Sequence, residues 1–291
     1  MLQSMKNIPL IYILFILLPI EAMAQKGAQN NSKSIWESAG KKAGKAKTNA
    51  KGFRDRIQNW GLDTNYNHAF LLGGKLNSDG WSSNIYFVKK TNYKWNRIWQ
   101  VGFSEIKHEK QTKQKGKNYP QFGNATPYVF GKINNLYTLQ VGYGHEKLLL
   151  PSVLEGNTSV CIRYNVGLSL AMLKPYYLKL IYMENIGGVD TSHLEEHKYS
   201  PTDSARFLTP STIFGSSRWS KGLGEINYIP GAYFEVAFTI LPGKPKTFIQ
   251  AITLGINGAF YADMLPLMAN AEAYRWQASA FAGLAIGKRW R

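Results

Sequence analysis

Apolar and polar residues alternate most strictly between Asn157 and Glu184. From Thr158 to Met172 the even positions are Thr158, Val160, Ile162, Tyr164, Val166, Leu168, Leu170 and Met172. The odd positions between them are small or polar, among them Cys161, Arg163, Asn165, Gly167 and Ser169. A period of two puts each set on its own face of a strand. Fifteen such residues at ~3.3 Å each span roughly 50 Å, against about 5–6 residues for an ordinary strand. Lys174-Pro175 interrupts the run, because proline gives no hydrogen to a ladder. Tyr176, Leu178, Leu180 and Tyr182 then resume it, so the stretch reads as a long two-faced hairpin.

The same alternation recurs on both sides. Tyr66, His68, Phe70, Leu72 and Leu76 share a face. Trp81, Ile85 and Phe87 follow the turn Asn77-Ser78-Asp79-Gly80. Trp95, Trp99, Val101 and Phe103 form a third run, and Tyr137, Leu139, Val141 and Tyr143 a fourth. Beyond the hairpin come Ala232 to Ile240, Phe248 to Phe260, and Tyr274 to Trp290. Nine runs are legible. A single-chain membrane barrel takes an even number of strands. Ten is therefore the first expectation, with the tenth drawn from Tyr128–Gly131 or from the long connection Asn185–Pro230; eight is the second. That connection is too long for a simple loop, which predicts a functional, partly folded or plug-like, lumen-filling insertion.

The fold class this predicts is all-β: a closed antiparallel up-and-down transmembrane β-barrel of 8–10 strands over residues 63–291. The polar faces favour a membrane barrel over a soluble one. A water-facing exterior would be dense in Lys and Glu, but here it holds mainly Gly, Ser, Asn, Ala and Thr. The scattered charges Arg163, Lys179, Glu235, Arg275 and Arg289 suit a narrow lumen in which buried charges pair. Aromatics near strand ends (Tyr176, Tyr182, Tyr274, Trp276, Trp290) suit interface belts.

The N-terminal region changes the picture. Residues 1–24 read as a cleaved signal peptide: Lys6, an apolar core from Ile8 to Ile20, and Ala22-Met23-Ala24 before Gln25. Residues 25–62 form a basic arm, with nine Lys/Arg against Glu37 and Asp55 up to residue 60. The whole chain carries a net charge of +17. For an exported protein that charge points to outer-membrane lipid and lipopolysaccharide phosphates, and to envelope protein partners, rather than to nucleic acid. The lysine-rich loop 107–125 adds to this.

Exported character and the stretches Phe130-Gly131-Lys132-Ile133-Asn134-Asn135-Leu136-Tyr137 and Lys221-Gly222-Leu223-Gly224-Glu225 resemble outer-membrane barrels of Bacteroidota. The resemblance covers roughly 60–291. It implies fold and location, and it brings no activity or catalytic residues.

Candidate chemistry is sparse. His193-Leu194-Glu195-Glu196-His197 matches His-x-x-Glu-His, which on a helix would let His193 and His197 hold a metal with Glu196 as base. No third ligand has family-like spacing, and an exposed polar segment competes with this reading. None of the five histidines sits in a His-x-Ser pair, so no hydrolase is expected and no cofactor is implied. Cys161 is the lone cysteine and cannot form an internal disulfide. The expected role is structural or accessory, docking partners in a cell-envelope complex. The alternatives are a narrow pore for small solutes and a lipid- or metal-dependent hydrolase.

Overall fold

The computed structural model describes residues 66–291 apart from 93, 117, 151–157, 187–188 and 243–247. The expected signal peptide and basic arm lie outside the described residues.

Eight strands close into an antiparallel barrel: β1 (His68–Asn77), β2 (Gly80–Lys90), β3 (Trp95–Ile106), β6 (Asn134–Leu150), β7 (Ser159–Pro175), β11 (Asn227–Leu241), β12 (Phe248–Leu265) and β13 (Tyr274–Trp290). The others are β4 (Lys113–Gln114), β5 (Tyr128–Val129), β8 (Tyr177–Ile186), β9 (Val189–Lys198) and β10 (Ile213–Ser216), and none of them enters the wall. Each barrel strand pairs with its chain neighbours in the wall, and β13 closes on β1 from His68↔Trp290 to Asn77↔Phe281.

The strand number is therefore eight rather than ten. The surplus run was the second half of the expected hairpin. β7 pairs with β6 and β11, whereas β8 pairs with β9 and β10. Pro175 supplies the break, and Tyr176 N then donates to Ile133 O at 2.8 Å, turning the chain out of the wall. Of Tyr128–Gly131, offered as a tenth strand, Tyr128–Val129 is extended, and among the described residues it pairs with β4 and not with the wall.

The two ends of the barrel differ. Both ends of the described chain lie at one rim, together with the strand ends Lys90 and Trp95, Leu150 and Ser159, and Leu241 and Phe248. The opposite rim carries the turn at Ser78-Asp79, the loop 107–133, the stretch 176–226 and the loop 266–273. The long connection is a folded platform there, not a plug. It contains the sheet β10-β8-β9 and helical turns at Pro201–Asp203, Ser204–Phe207 and Pro210–Thr212. Leu178, Leu180, Phe207, Ile213 and Tyr128 make its own apolar core.

The apolar face of every barrel strand points outward. Leu168 is 75% exposed and Val166 62%, and Leu72, Leu76, Phe87, Val141, Phe234, Leu254, Ile256 and Leu284 stand out likewise. At ordinary tilt about 10 residues cross a hydrocarbon band. Seventeen-residue strands such as β6 and β7 therefore project beyond it. Aromatic clusters mark two levels. Near the termini Trp99 packs on Tyr143, with His145, Tyr164 and Trp95 beside them. At the platform end Phe103 packs between Trp81 and Tyr137. Tyr274, Trp276 and Trp290 are exposed on the wall as expected, but Tyr176 and Tyr182 belong to the platform core. Such an exterior is stable in lipid, where closure leaves no strand edge unpaired.

Candidate functional site

The lumen is filled in layers by inward-facing residues. Towards the termini lie Ala69, Leu71, Tyr86, Val88, Ile98, Ile249, Ala251 and Ala285. Towards the platform lie Ile106, Leu136, Leu173, Ile229, Tyr233, Tyr261 and Leu265. Between them runs a polar layer. Lys75 Nζ meets Glu235 Oε2 at 2.5 Å, and Gln100 Nε2 donates to the same oxygen at 3.2 Å. Gln100 also donates to Asn84 Oδ1 and accepts from Asn165 Nδ2. Arg163 Nη2 lies 3.4 Å from Glu146 Oε2 and donates to Thr239 Oγ1 at 3.0 Å, with its guanidinium over the Tyr86 ring. Arg163 and Glu146 sit among the terminal-side residues, lining one void with Ala69, Leu71 and Val88, so the lumen holds two cation–carboxylate pairs at different depths. A void of about 30 Å³ near Arg163 and Arg289 has room for a water or two, not for a solute stream.

The expected lumen charges divide. Arg163 and Glu235 are both buried in the lumen, Glu235 in the polar layer and Arg163 nearer the termini. Arg289 lies at the terminal mouth, with its guanidinium 4.4 Å from the Tyr66 ring centre. Arg275 is exposed at the platform end of β13. Lys179 is not in the lumen; it stands on β8, opposite Glu196 in register. Lys75 and Glu146 were missed. Lys75 interrupts no visible pattern because β1 has glycine at both Gly73 and Gly74. Glu146 sits next to Lys147 in what reads as a polar strand end.

His193, Glu196 and His197 do not form the expected helical set. The segment is the strand β9, so Glu196 projects to the face opposite the two histidines. Ser217 Oγ donates to Glu196 at 2.5 Å and Lys221 lies 3.3 Å away. The Ser217 hydroxyl first, and Lys221 as well, hold Glu196 below the usual carboxylate range. His193 and His197 instead bracket Glu195 at 2.9 and 2.8 Å and pack against Tyr182. No group of three or more metal-ligating side chains occurs among the described residues.

A second, larger concavity lies where the platform meets the barrel rim. This cavity of about 560 Å³ is lined by Glu105, Lys107, Gln111, Lys113, Lys132, Lys174, Tyr176, Tyr177, Arg218, Trp219 and Lys221, among others. Lys107 and Gln111 come from the loop after β3, Lys174 from the last turn of the β7 wall, and Arg218 and Trp219 from the segment returning to β11. Lys132 and Lys174 are buried, 6% and 3% exposed. Neither forms an ion pair among the described residues. Lys132 Nζ donates to Gln111 Oε1 at 3.0 Å and lies over the Tyr176 ring. Lys174 lies over the Trp219 ring at 5.0 Å. Burial pushes Lys132 down to about 8; Glu105 opposes the shift, whereas Lys107, Lys174 and Lys113 deepen it. Glu105, the one lining carboxylate, already accepts from Trp81 Nε1 at 2.7 Å. Sequence reading found the lysine-rich loop but not this assembly. Lys174 was legible only as the residue before a strand-breaking proline.

No family model matches the chain, and no curated protein matches it. Solved structures with a similar chain path include Neisserial surface protein A, at 7% identity and a TM-score of 0.35, over 76% of this chain and 94% of that one. The N-terminal β-barrel domain of Pseudomonas aeruginosa OprF gives 9% identity and 0.32, over 77% and 98%. Ail, the attachment invasion locus protein of Yersinia pestis, gives 8% and 0.29, over 77% and 95%. At these identities and scores the likeness does not extend to function.

Proposed function

We propose that the chain is an outer-membrane barrel of structural or accessory type, which anchors a folded platform at the cell surface and docks a cell-envelope partner on it. The observation that carries this reading is the platform itself. A barrel needs only short turns to close, yet here two connections, 107–133 and 176–226, fold together around an apolar core of their own. Thr126 Oγ1 donates to Ser216 O, Ser216 Oγ donates to Pro127 O, and Gln121 Nε2 donates to Ser192 Oγ, each at 2.7 Å, which ties the two connections to each other. Termini on the inner side and long connections outside are the usual arrangement for such barrels. The packed lumen argues against the pore alternative. Against the hydrolase alternative, both barrel-wall histidines stand in aromatic surroundings: His68 stacks on Trp290, and His145 sits in an outward cluster with Tyr143 and Tyr164.

The test compares the native protein with a variant in which residues 178–216 are replaced by a short turn. Both should sediment with the outer membrane and change gel mobility on boiling. A defined envelope protein should accompany the native barrel through mild detergent and be lost from the variant. Recovery of both barrels alone would remove the docking role. Steady conductance in planar bilayers would restore the pore.

A further inference from the structure

The basic cavity at the rim has a feature that a merely solvated lysine patch lacks. Two of its ammonium-bearing side chains are more than nine-tenths buried, and no carboxylate pairs with either among the described residues. Burying an ammonium without a counter-charge is costly, and proteins normally supply a partner or lose the proton. Among the described residues the cavity offers no protein partner in reserve. Its lining has Lys107, Lys113, Lys132, Lys174, Arg218 and Lys221 against Glu105 alone, which the Trp81 indole engages. Among the described residues, Lys221 alone of the six is in an ion pair, with Glu196. The charge is also fixed in place. Lys132 is held by Gln111 and the Tyr176 ring, and Lys174 by the Trp219 ring. A cluster of positive charge on rigid walls is a receptor for a dense, multivalent anion.

We infer that this cavity binds a phosphate-bearing group, with Lys132 and Lys174 at its floor and Lys107, Lys113 and Arg218 around its mouth. Its depth suggests where that group comes from. Trp219 Nε1 donates to Tyr137 Oη at 3.0 Å, and Tyr137 packs on Phe103 in the platform-side aromatic cluster. Glu105 and Trp81 join the same cluster. Aromatic belts of this kind sit at headgroup level. The cavity therefore opens at the height of lipid phosphates, and a phosphorylated glycolipid of the outer leaflet and a soluble phosphate share the chemistry it recognises. The inference requires no protein partner, so it stands or falls separately from the docking role.

The experiment uses the full chain in phosphatidylcholine nanodiscs, titrated with inorganic pyrophosphate, alongside nanodiscs that include a bisphosphorylated glycolipid. The readouts are the thermal unfolding midpoint and ³¹P line broadening. Pyrophosphate binding in plain nanodiscs identifies a soluble ligand; an effect of the glycolipid alone identifies the lipid. Either supports the site if Lys132→Gln/Lys174→Gln weakens binding about tenfold or more, the scale of one lost charged contact. Lys288→Gln, exposed at the other rim, should leave it unchanged. The glutamine variants relieve a burial penalty and should keep the heat-modifiable fold. Should they not fold, Lys174→Arg must retain binding for the site to stand. Absence of any anion effect on the native protein, or equal binding by the double variant, would overturn the assignment.

Discussion

Lys75 Nζ lies 2.5 Å from Glu235 Oε2, joining β1 to β11 across the lumen although two strands separate them around the wall. The pair bridges the barrel from within, and Gln100 on β3 adds a third point to the bridge. Both side chains are almost wholly enclosed. Removing one partner leaves the other charged and buried. Lys75→Met should therefore cost about 3–5 kcal/mol, and Lys75→Met with Glu235→Leu should recover most of it. Urea titration of vesicle-embedded protein, followed by tryptophan fluorescence, checks both.

Gly142 and Gly167 face each other in register, and Tyr233 opposes Gly167 on the next strand. Their missing side chains make a slot for the Tyr233 ring: a Cβ on Gly142 would overlap its hydroxyl, and one on Gly167 would come within 2.9 Å of Cε1. Gly142→Ala is expected to destabilise by about 1–3 kcal/mol through overpacking. Adding Tyr233→Phe should return part of that loss. A Gly142→Ala barrel as stable as the parent in the same urea titration would show that the slot is not needed.

Leu168 lies near the middle of β7 and faces outward, 75% exposed. If hydrocarbon wets that face, Leu168→Arg should cost about 2–4 kcal/mol of stability in lipid. Met183, 80% exposed on the platform strand β8, should tolerate arginine within about 0.5 kcal/mol. Equal, small effects at both positions would place Leu168 in water.

Lys132 gives a pH signature. Its folded-state value is about 8, below the ~10.4 of a free lysine. The native state thus releases this proton first. Stability from this group is at its lowest and flat below pH 8, rises as pH climbs from about 8 to about 10.4, and is flat beyond. The groups around it are Gln111, Glu105, Lys107, Lys113, Lys174 and the Tyr176 ring. The parent should show this rise relative to Lys132→Gln in matched unfolding titrations. Pyrophosphate, by favouring the charged form, should shift it to higher pH.

Period-two alternation made the barrel legible, because lipid and lumen impose opposite demands on successive residues. It also located the outward face, where Val166 and Leu168 stand. It could not separate β8 from the wall. Leu178 and Leu180 alternate with Tyr177 and Lys179 as barrel residues do, although they face a satellite core instead. Local pattern reports that a strand has two different sides, not which sheet it joins. Inward aromatics were likewise hidden: Tyr86, Tyr233 and Phe281 lie on faces otherwise made of small residues, so their lumen-filling role depends on neighbours distant in sequence. The rim cavity needed three separate segments to be brought together, and of these only the loop after β3 stood out as lysine-rich. The His-x-x-Glu-His pattern misled for the converse reason, since its geometry depends on a helix that the chain does not form there.

One residue, Tyr176, separates the last residue of β7 from the first of β8. Its amide is tied to Ile133 and its hydroxyl accepts from Val129 N at 3.1 Å. A junction so short and so doubly fastened leaves no hinge. A partner docked on the platform, as proposed, would inherit a set azimuth and height above the bilayer, with the barrel as the mount that fixes its bearing.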